Sequence, residues 1–296
     1  MSAPVLYDVL GPKARRRSQV VSVVVVVALV AVSVAVLVRL GGRGQLEYDK
    51  WGPVVDPTNV DFLAVWERLG EGLLNTVLAA VLAIVASLVI GTTLAVARLS
   101  LGRTSRLPVV AVVEVLRGVP VVLSIYFADR LLRQAGVDIG GLPGPDGLWT
   151  VVIGLTAYNC VVIAEIVRSG VQSLPRGQRE AGLAVGLTPG QTMRSVQLPQ
   201  AFRTVLPALI SQLVVVVKDT SLAAVLGLYG DLLREARQLS QLLDNPLQMF
   251  VVVGGVYVLL NWALSRLAVL VERRTSRSGG GAQTGIPLQN TGGAGG

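Results

Sequence analysis

SLPRGQREAGLAVGLTPGQTMRSVQLPQAFRTVLP, Ser173 to Pro207, lies between two apolar runs and is polar, basic and rich in turn residues. Its spacing nevertheless predicts two short helices. Ser173 is placed to cap the first, with Pro175 near the first turn, and Gly186 to end it. Thr188 is placed to cap the second, with Pro189 at the first helical position. Leu183, Val185 and Leu187 make an apolar stripe that needs a surface to bury against. A free linker has no use for caps, a helix-ending glycine and such a stripe.

Outward from this stretch the chain becomes strongly apolar. Of 296 residues, 52% are hydrophobic and 15% charged, against roughly 25% charged in soluble domains. Candidate spans are 19–38, 72–97, 107–132, 148–167, 204–228 and 246–270, each near the ~20 residues that cross ~30 Å of hydrocarbon. The third is interrupted by Glu114, Arg117 and Pro120. It is expected to start as an interfacial helix and to enter the bilayer near Val119. The first span is too long for a signal sequence and runs into Arg39 without a small-residue cleavage site, so it reads as a retained anchor. The expected organisation is an N-terminal segment 1–18, an anchor 19–38, an external segment 39–71, a core 72–274 containing the loop 173–203, and a disordered Ser/Gly-rich tail 275–296.

Charge sets the expected orientation. With the N-terminus inside, 16 of the 26 Lys/Arg fall in cytoplasmic segments and eight in external ones, while 12 of the 18 acids are external and three internal. This is the positive-inside pattern, and it places both termini and the loop 173–203 in the cytoplasm of a multi-pass plasma-membrane protein. A folded element held out below a membrane implies a docking partner. The net charge of +8 then reports topology. The basic residues form no single stripe of the kind that binds nucleic acid.

Several chemistries are excluded by composition. There is no histidine and one cysteine, Cys160, so no intrachain disulfide, His/Cys zinc site or His-dependent triad can form. None of the three lysines stands in a Gly-Lys-Ser/Thr phosphate loop. No catalytic or metal-binding residue is assigned, and any ATP must be hydrolysed by another polypeptide.

The pattern Glu180-Ala181-Gly182, three residues, Gly186, nine residues, Val196, one residue, Leu198-Pro199 resembles the EAA loop of ABC-importer permeases. Gly182 stands where that family has its second alanine. Ile163 to Val171, Gly177-Gln178, Leu198 to Ala201 and Lys218-Asp219-Thr220-Ser221-Leu222 resemble the polar amino-acid subfamily, and the likeness runs from about Gly72 to Arg274. Gly154-Leu155-Thr156 and Leu209 to Val215 are similar to actinobacterial glutamate-type permeases. The resemblance implies an all-α fold: a five-helix type I importer core with one added N-terminal helix. It implies that Glu180, Ala181, Gly182, Gly186, Leu198 and Pro199 couple to a groove on a cytoplasmic ATPase dimer, which would hold ATP and Mg, so that this chain needs no cofactor. A second permease subunit, identical or homologous, and an extracellular solute-binding protein are the other implied partners.

Charges inside a bilayer are costly and are usually paired or functional. Glu114 and Arg117 are three apart on one helix face, followed by Gly118 and Pro120, which suggest a kink. They read either as a self-contained ion pair or as a gate beside the path. Glu165 either pairs with Arg168 or contacts substrate; a tyrosine common in the family three residues earlier is Val162 here. Lys218 and Asp219 point about 100° apart on a regular helix, with the hydroxyls of Thr220 and Ser221 following. They read as substrate or pathway contacts, or as pairing between helices or subunits. Glu180 is either a solvated carboxylate at i+4 from Arg176 or a salt bridge to the ATPase. The expected function is the membrane subunit of an ATP-driven importer for a polar amino acid, glutamate or a relative, working by alternating access. The competing readings are a secondary transporter or channel subunit, for which inverted repeats would speak, and an assembly scaffold.

Overall fold

The computed structural model describes residues 11–276, and these residues are helical without a strand. The expected tail 275–296 lies outside the described residues apart from its first two, which close the last helix, and so does most of the N-terminal segment. Helix α1, Pro12–Gly41, opens with Lys13, Arg15, Arg16 and Arg17 and from Val20 to Val38 is apolar on every face and exposed, the pattern of a helix surrounded by lipid. Helix α2, Tyr48–Val55, is a short amphipathic piece.

Helix α3, Phe62–Ser100, has 39 residues, about 58 Å at 1.5 Å per residue. It starts ten residues before the expected boundary at Gly72. The reason is a helical period in its first turns: Val65 and Leu69 are buried against Leu232, Ala236 and Leu239, while charged residues take the other faces. That segment is helix held by packing against residues far along the chain, which a run of hydropathy does not register.

The interrupted third span is two helices, α4 at Leu107–Gly118 and α5 at Val121–Gln134, meeting at 110°. Pro120 drives Val119 to an extended conformation and caps α5, as the residue before a proline is expelled from the helical region. The expected break is where the sequence put it.

Helix α6, Leu148–Ser173, forms the centre of the bundle and packs against α3 and α5. Two short helices follow, α7 at Arg176–Ala184 and α8 at Pro189–Thr192. A π turn at Met193–Gln197 leads into α9, Leu198–Asp219, and α10, Ser221–Leu226. The bundle is completed by α11, Leu232–Leu242, and α12, Pro246–Ser276. Five helices among the described residues are long and apolar enough to cross a membrane, six if the bent pair α4–α5 counts as one span.

Close approach in the core depends on small residues, as in other membrane bundles. A Cβ on Gly91 of α3 would stand 2.5 Å from the Cys160 carbonyl oxygen of α6. A buried polar bond adds register: Gln212 of α9 donates to Asn159 Oδ1 of α6 at 2.7 Å, and the Asn159 amide donates to its own helix at Leu155. The bundle therefore has two ends. One gathers Ser100, Ser173, α7, α8 and the start of α9. The other gathers α2, the first turns of α3, α11 and the start of α12.

Candidate functional site

The first end carries a folded foot. Arg176–Ala184 forms α7, and its termination follows from one glycine. Gly186 adopts φ +86°, its N–H donates to the Leu183 carbonyl and the Leu187 N–H to that of Gly182. This is a Schellman closure, whose left-handed position costs other residues about 1 kcal/mol or more. Two residues later Thr188 opens α8 with a full capping box: its Oγ1 accepts from the Gln191 N–H at 3.3 Å, and Gln191 Oε1 accepts from the Thr188 N–H at 2.9 Å. Such a cap contributes about 1 kcal/mol.

Ser173 does not cap α7. It lies in the last turn of α6, where its Oγ donates to the Gly170 carbonyl, and Pro175 occupies the N-cap without a side-chain bond. The helix α6 simply outruns the expected boundary, because a serine hydroxyl can bond back to its own helix as readily as forward.

The two arms of the foot hold each other. A Cβ on Gly182 would meet Thr192 Cγ2 at 2.7 Å and Oγ1 at 3.0 Å, so glycine at 182 allows α7 to lie directly on Thr192. Gln200 of α9 donates to Gln178 of α7 at 3.0 Å. The π turn before α9 brings the Leu198 N–H to the Met193 carbonyl, in the register just before Pro199, which has no N–H to give. Leu198 packs into the apolar clusters of the bundle while Pro199 is exposed. The foot is thus fixed to both α6 and α9, the two central helices.

What the foot offers outward is unsatisfied. Leu183 is 40% and Val185 78% exposed, and Leu187 is half-buried. Glu180 is exposed and has no ion-pair partner among the described residues, so the pair with Arg176 that its spacing allows is not made. Glu180, Arg176, Arg179 and Leu183 line a groove of about 670 Å³ with Leu99, Pro189 and Met193.

Above the foot, on the same end of the bundle, lies a charged cluster that the sequence only half announced. Arg98 of α3, 15% exposed, contacts Glu165 of α6 and reaches Glu114 of α4 at 3.7 Å. Glu165 also accepts from Arg168 at 2.8 and 3.0 Å. The expected Glu114–Arg117 pair is not formed. The two are on one helix, but Arg98 from a neighbouring helix takes the carboxylate and Arg117 is left without an ion-pair partner among the described residues. Arg117 instead shares a groove of about 530 Å³ with Tyr158, Glu165, Ile166, Arg168 and Ser169. Gly118 and Pro120 form the bend beside it. Arg98 was missed as a hub because its partners are 16 and 67 residues away, and only its loop-end position was legible.

Lys218 through Ser221 do not join this cluster. Lys218 lies in the last turn of α9, about 30 Å along the axis from Leu198, whereas Glu165 is about 12 Å from the Ser173 end of α6. The helix is interrupted there, between α9 and α10. Thr220 is fully buried and donates to Val217, and Ser221 opens α10 while donating to Lys218. Both hydroxyls are occupied within their own backbone. Lys218 is exposed and Asp219 half-buried, with no ion-pair partner for either among the described residues.

The other end of the bundle is tied side chain to side chain. Arg68 of α3 grips Glu235 of α11 at 2.6 and 3.1 Å and Gln238 at 2.8 Å. Lys50 reaches Asp244 at 3.1 Å, Asn245 donates to the Lys50 carbonyl, and Gln248 to that of Gln45. Asp231 caps α11 through the Arg234 N–H at 3.0 Å. Its other oxygen is buried without a partner, and burial pushes its carboxyl up to about 6.

Three comparisons bear on this arrangement. The model of the family described as "Binding-protein-dependent transport system inner membrane component" matches residues 83–277. The glutamate transport system permease protein GluD of Corynebacterium glutamicum is 37% identical over 79% of this chain and 83% of its own. The glutamate/aspartate import permease protein GltK of Escherichia coli is 34% identical over 70% and 92%. A solved amino acid ABC transporter with histidines aligns with TM-score 0.62 at 28% identity, over 73% of this chain and all of its own. The MetNI methionine ABC transporter in an inward-facing conformation shares the fold at TM-score 0.57 and 23% identity.

Proposed function

The chain belongs to the family of binding-protein-dependent transport system inner membrane components, as a multi-pass membrane permease component of an amino acid ABC importer, and from that premise we propose that it carries glutamate or a close relative. The foot end then faces the cytoplasm with both termini, in line with the distribution of Lys and Arg. Two permease subunits stand together, an ATPase dimer holding ATP and Mg docks below, and a solute-binding protein delivers substrate outside. The observation that carries this reading is the foot itself: α7 and α8 are folded, capped and fastened to α6 and α9, yet they leave Leu183, Val185 and Glu180 uncovered. Apolar side chains held rigidly in water are a docking surface. Glu180, Ala181, Gly182 and Gly186 meet the ATPase, while Leu198 and Pro199 hand its movement to α9. No step here is covalent chemistry by this chain.

The charged groove supports an acidic amino acid as cargo. A glutamate ligand carries two carboxylates and one ammonium. Arg117 is a cation free to meet a carboxylate, and Glu165 is the acid beside it, held in place by Arg98 and Arg168. Glu165 and Arg117 are assigned to the pathway, and Glu114, Gly118 and Pro120 to the gate at the α4–α5 bend. The test is uptake of a labelled amino-acid panel into vesicles holding the permease, its ATPase and its binding protein. Vanadate-sensitive glutamate uptake that falls at least tenfold in Arg117→Ala is expected. ATP-independent uptake, or a carrier indifferent to acidic amino acids, contradicts the reading.

A further inference from the structure

Helix α1 stands apart from the other spans. Helices α3, α6, α9 and α12 each bury part of their apolar length inside the chain, and α1 buries none of its own. It also precedes residues 83–277, the part of the chain that carries the family's features. Its apolar run Val20–Val38 is about 28 Å long, against about 30 Å of hydrocarbon. The run has no length to spare, so its start is pinned to the boundary of the bilayer. Lys13, Arg15, Arg16 and Arg17 follow outward on the same continuous helix. They stand about 5 to 10 Å beyond Val20, and the headgroup layer on each side of the hydrocarbon is about 5–8 Å thick. The four cations are therefore carried at headgroup depth on a rigid extension of the span.

Their surroundings follow from charge and from position around the helix. All four are exposed, and α1 contains no acid. None of them has an ion-pair partner among the described residues, whereas Lys50, Arg68, Arg98, Arg133 and Arg168 each hold a carboxylate. At about 100° per residue, Lys13, Arg16 and Arg17 fall within about 100° of one another, and Arg15 lies on the far side. A protein partner is met by one face of a helix. Cations on opposite sides of a helix that no other element covers meet something that surrounds it, and at this depth that is the layer of lipid headgroups. Each Lys or Arg just cytoplasmic of a span strengthens attachment to an anionic leaflet by about fivefold.

We propose that Lys13, Arg15, Arg16 and Arg17 form a collar that binds anionic phospholipid headgroups of the cytoplasmic leaflet. The group recognised is the lipid phosphodiester. Each of the three guanidinium forks can hold two phosphate oxygens, and Lys13 adds a point charge. The proposal rests on the reading that places the foot end and the N-terminus in the cytoplasm. It goes beyond that reading by giving α1 a partner, the lipid itself, that is neither the ATPase nor the binding protein.

The test places a fluorophore at position 18, through Ser18→Cys in a chain with Cys160→Ala, in phosphatidylcholine vesicles holding the permease, its ATPase and its binding protein. Trace phosphatidylglycerol and trace phosphatidylcholine, each with the same shallow acyl-chain quencher, are compared. Phosphatidylglycerol is expected to quench at least about threefold more strongly, and about 1 M salt, with a Debye length of about 3 Å, to abolish the difference. Lys13→Gln, Arg15→Gln, Arg16→Gln and Arg17→Gln together should remove the preference, while Arg15→Lys, Arg16→Lys and Arg17→Lys together should keep most of it. Cations also orient a span, so an impermeant reagent for the unmodified thiol at position 18 reports the side it faces in every version. Should the glutamine version insert the other way round, the pairs Arg15→Gln with Arg16→Gln and Lys13→Gln with Arg17→Gln, each leaving two cations, should each lose part of the preference. Equal quenching by the two lipids with the four cations present overturns the proposal, and so does a preference that survives the glutamine changes in a correctly oriented helix. A preference competed away by free glycerol phosphate overturns it in favour of a site for soluble phosphate. Loss of the ATPase from the glutamine version, with the lipid preference intact, overturns it in favour of an acidic protein. Each of these results leaves vanadate-sensitive uptake by the wild type, and with it the importer reading, intact.

Discussion

The two ends of the bundle are built by opposite means. At the α11 end α2, α3, α11 and α12 are joined by long-range side-chain bonds, Arg68 to Glu235, Lys50 to Asp244 and Gln248 to Gln45, and Val54, Leu69, Leu232 and Met249 fill the space between them. At the foot end the foot is held by local devices, a glycine closure, a capping box and one glutamine pair, and its apolar residues face out. The α11 end is closed by contacts within the chain. The foot end is shaped but leaves apolar residues uncovered, as the proposed docking to another molecule requires.

The difference is broken most severely at the foot. Gly186→Asp forces an L side chain into φ +86° and adds a charge on the exposed turn that joins the two arms. Uptake is expected to fall more than tenfold, while the melting temperature of the purified permease moves by only a few degrees. A melting temperature that collapses along with uptake means the foot belongs to the folding core, and the contrast between the ends fails.

The converse change is Arg68→Ala. It leaves Glu235, 18% exposed, without its cation, at a cost of about 1–3 kcal/mol. Stability should fall measurably in thermal unfolding, and uptake per folded molecule should stay within about twofold. Uptake lost without loss of stability would show that the Arg68–Glu235 clasp moves during transport.

A finer probe is Gly182→Ala. Its new methyl meets Thr192 Cγ2 at 2.7 Å, and a few-fold loss of uptake is expected. Thr192→Ser removes that methyl and should recover most of the loss in the double variant, with the ratio of ATP hydrolysed to substrate carried restored as well. Additive losses in the double variant would mean that the contact does not set the foot's geometry.

The smallest effect concerns Asp231. Burial raises its folded carboxyl from the ordinary 3.8 to about 6, so between those values the folded state holds a proton that the unfolded state releases. Its contribution to stability therefore falls as pH rises from about 4 to 6 and is flat above. Asp231→Asn should lose that slope while retaining a cap on α11. A pH profile of the melting temperature identical to wild type would remove the buried charge from the account.

Much of this was legible in the chain. Gly186 and Thr188 announced their turn and cap because each acts on backbone within five residues. Gly118 and Pro120 announced the bend for the same reason. The first turns of α3 were hidden because their helix is held by α11, some 165 residues away, through Val65 and Leu69 rather than by hydropathy. Of the two readings of Glu114 and Arg117, the pair was open to the sequence because helical spacing allows it and nothing local forbids it; Arg98, reaching over from α3, takes Glu114 instead. Ser173 was misread because a hydroxyl at a helix end bonds equally well in either direction.

The claim that most depends on the foot is that it receives force from a separate nucleotide hydrolase. A single cysteine at Val185, in a chain with Cys160→Ala, offers the most direct measurement: cross-linking within the assembled complex, with and without vanadate-trapped nucleotide. The account predicts a cross-link to the hydrolase in both states, and uptake that stops once it is made. A freely transporting complex in which residue 185 cross-links to no hydrolase, or is labelled from outside the cell, contradicts it.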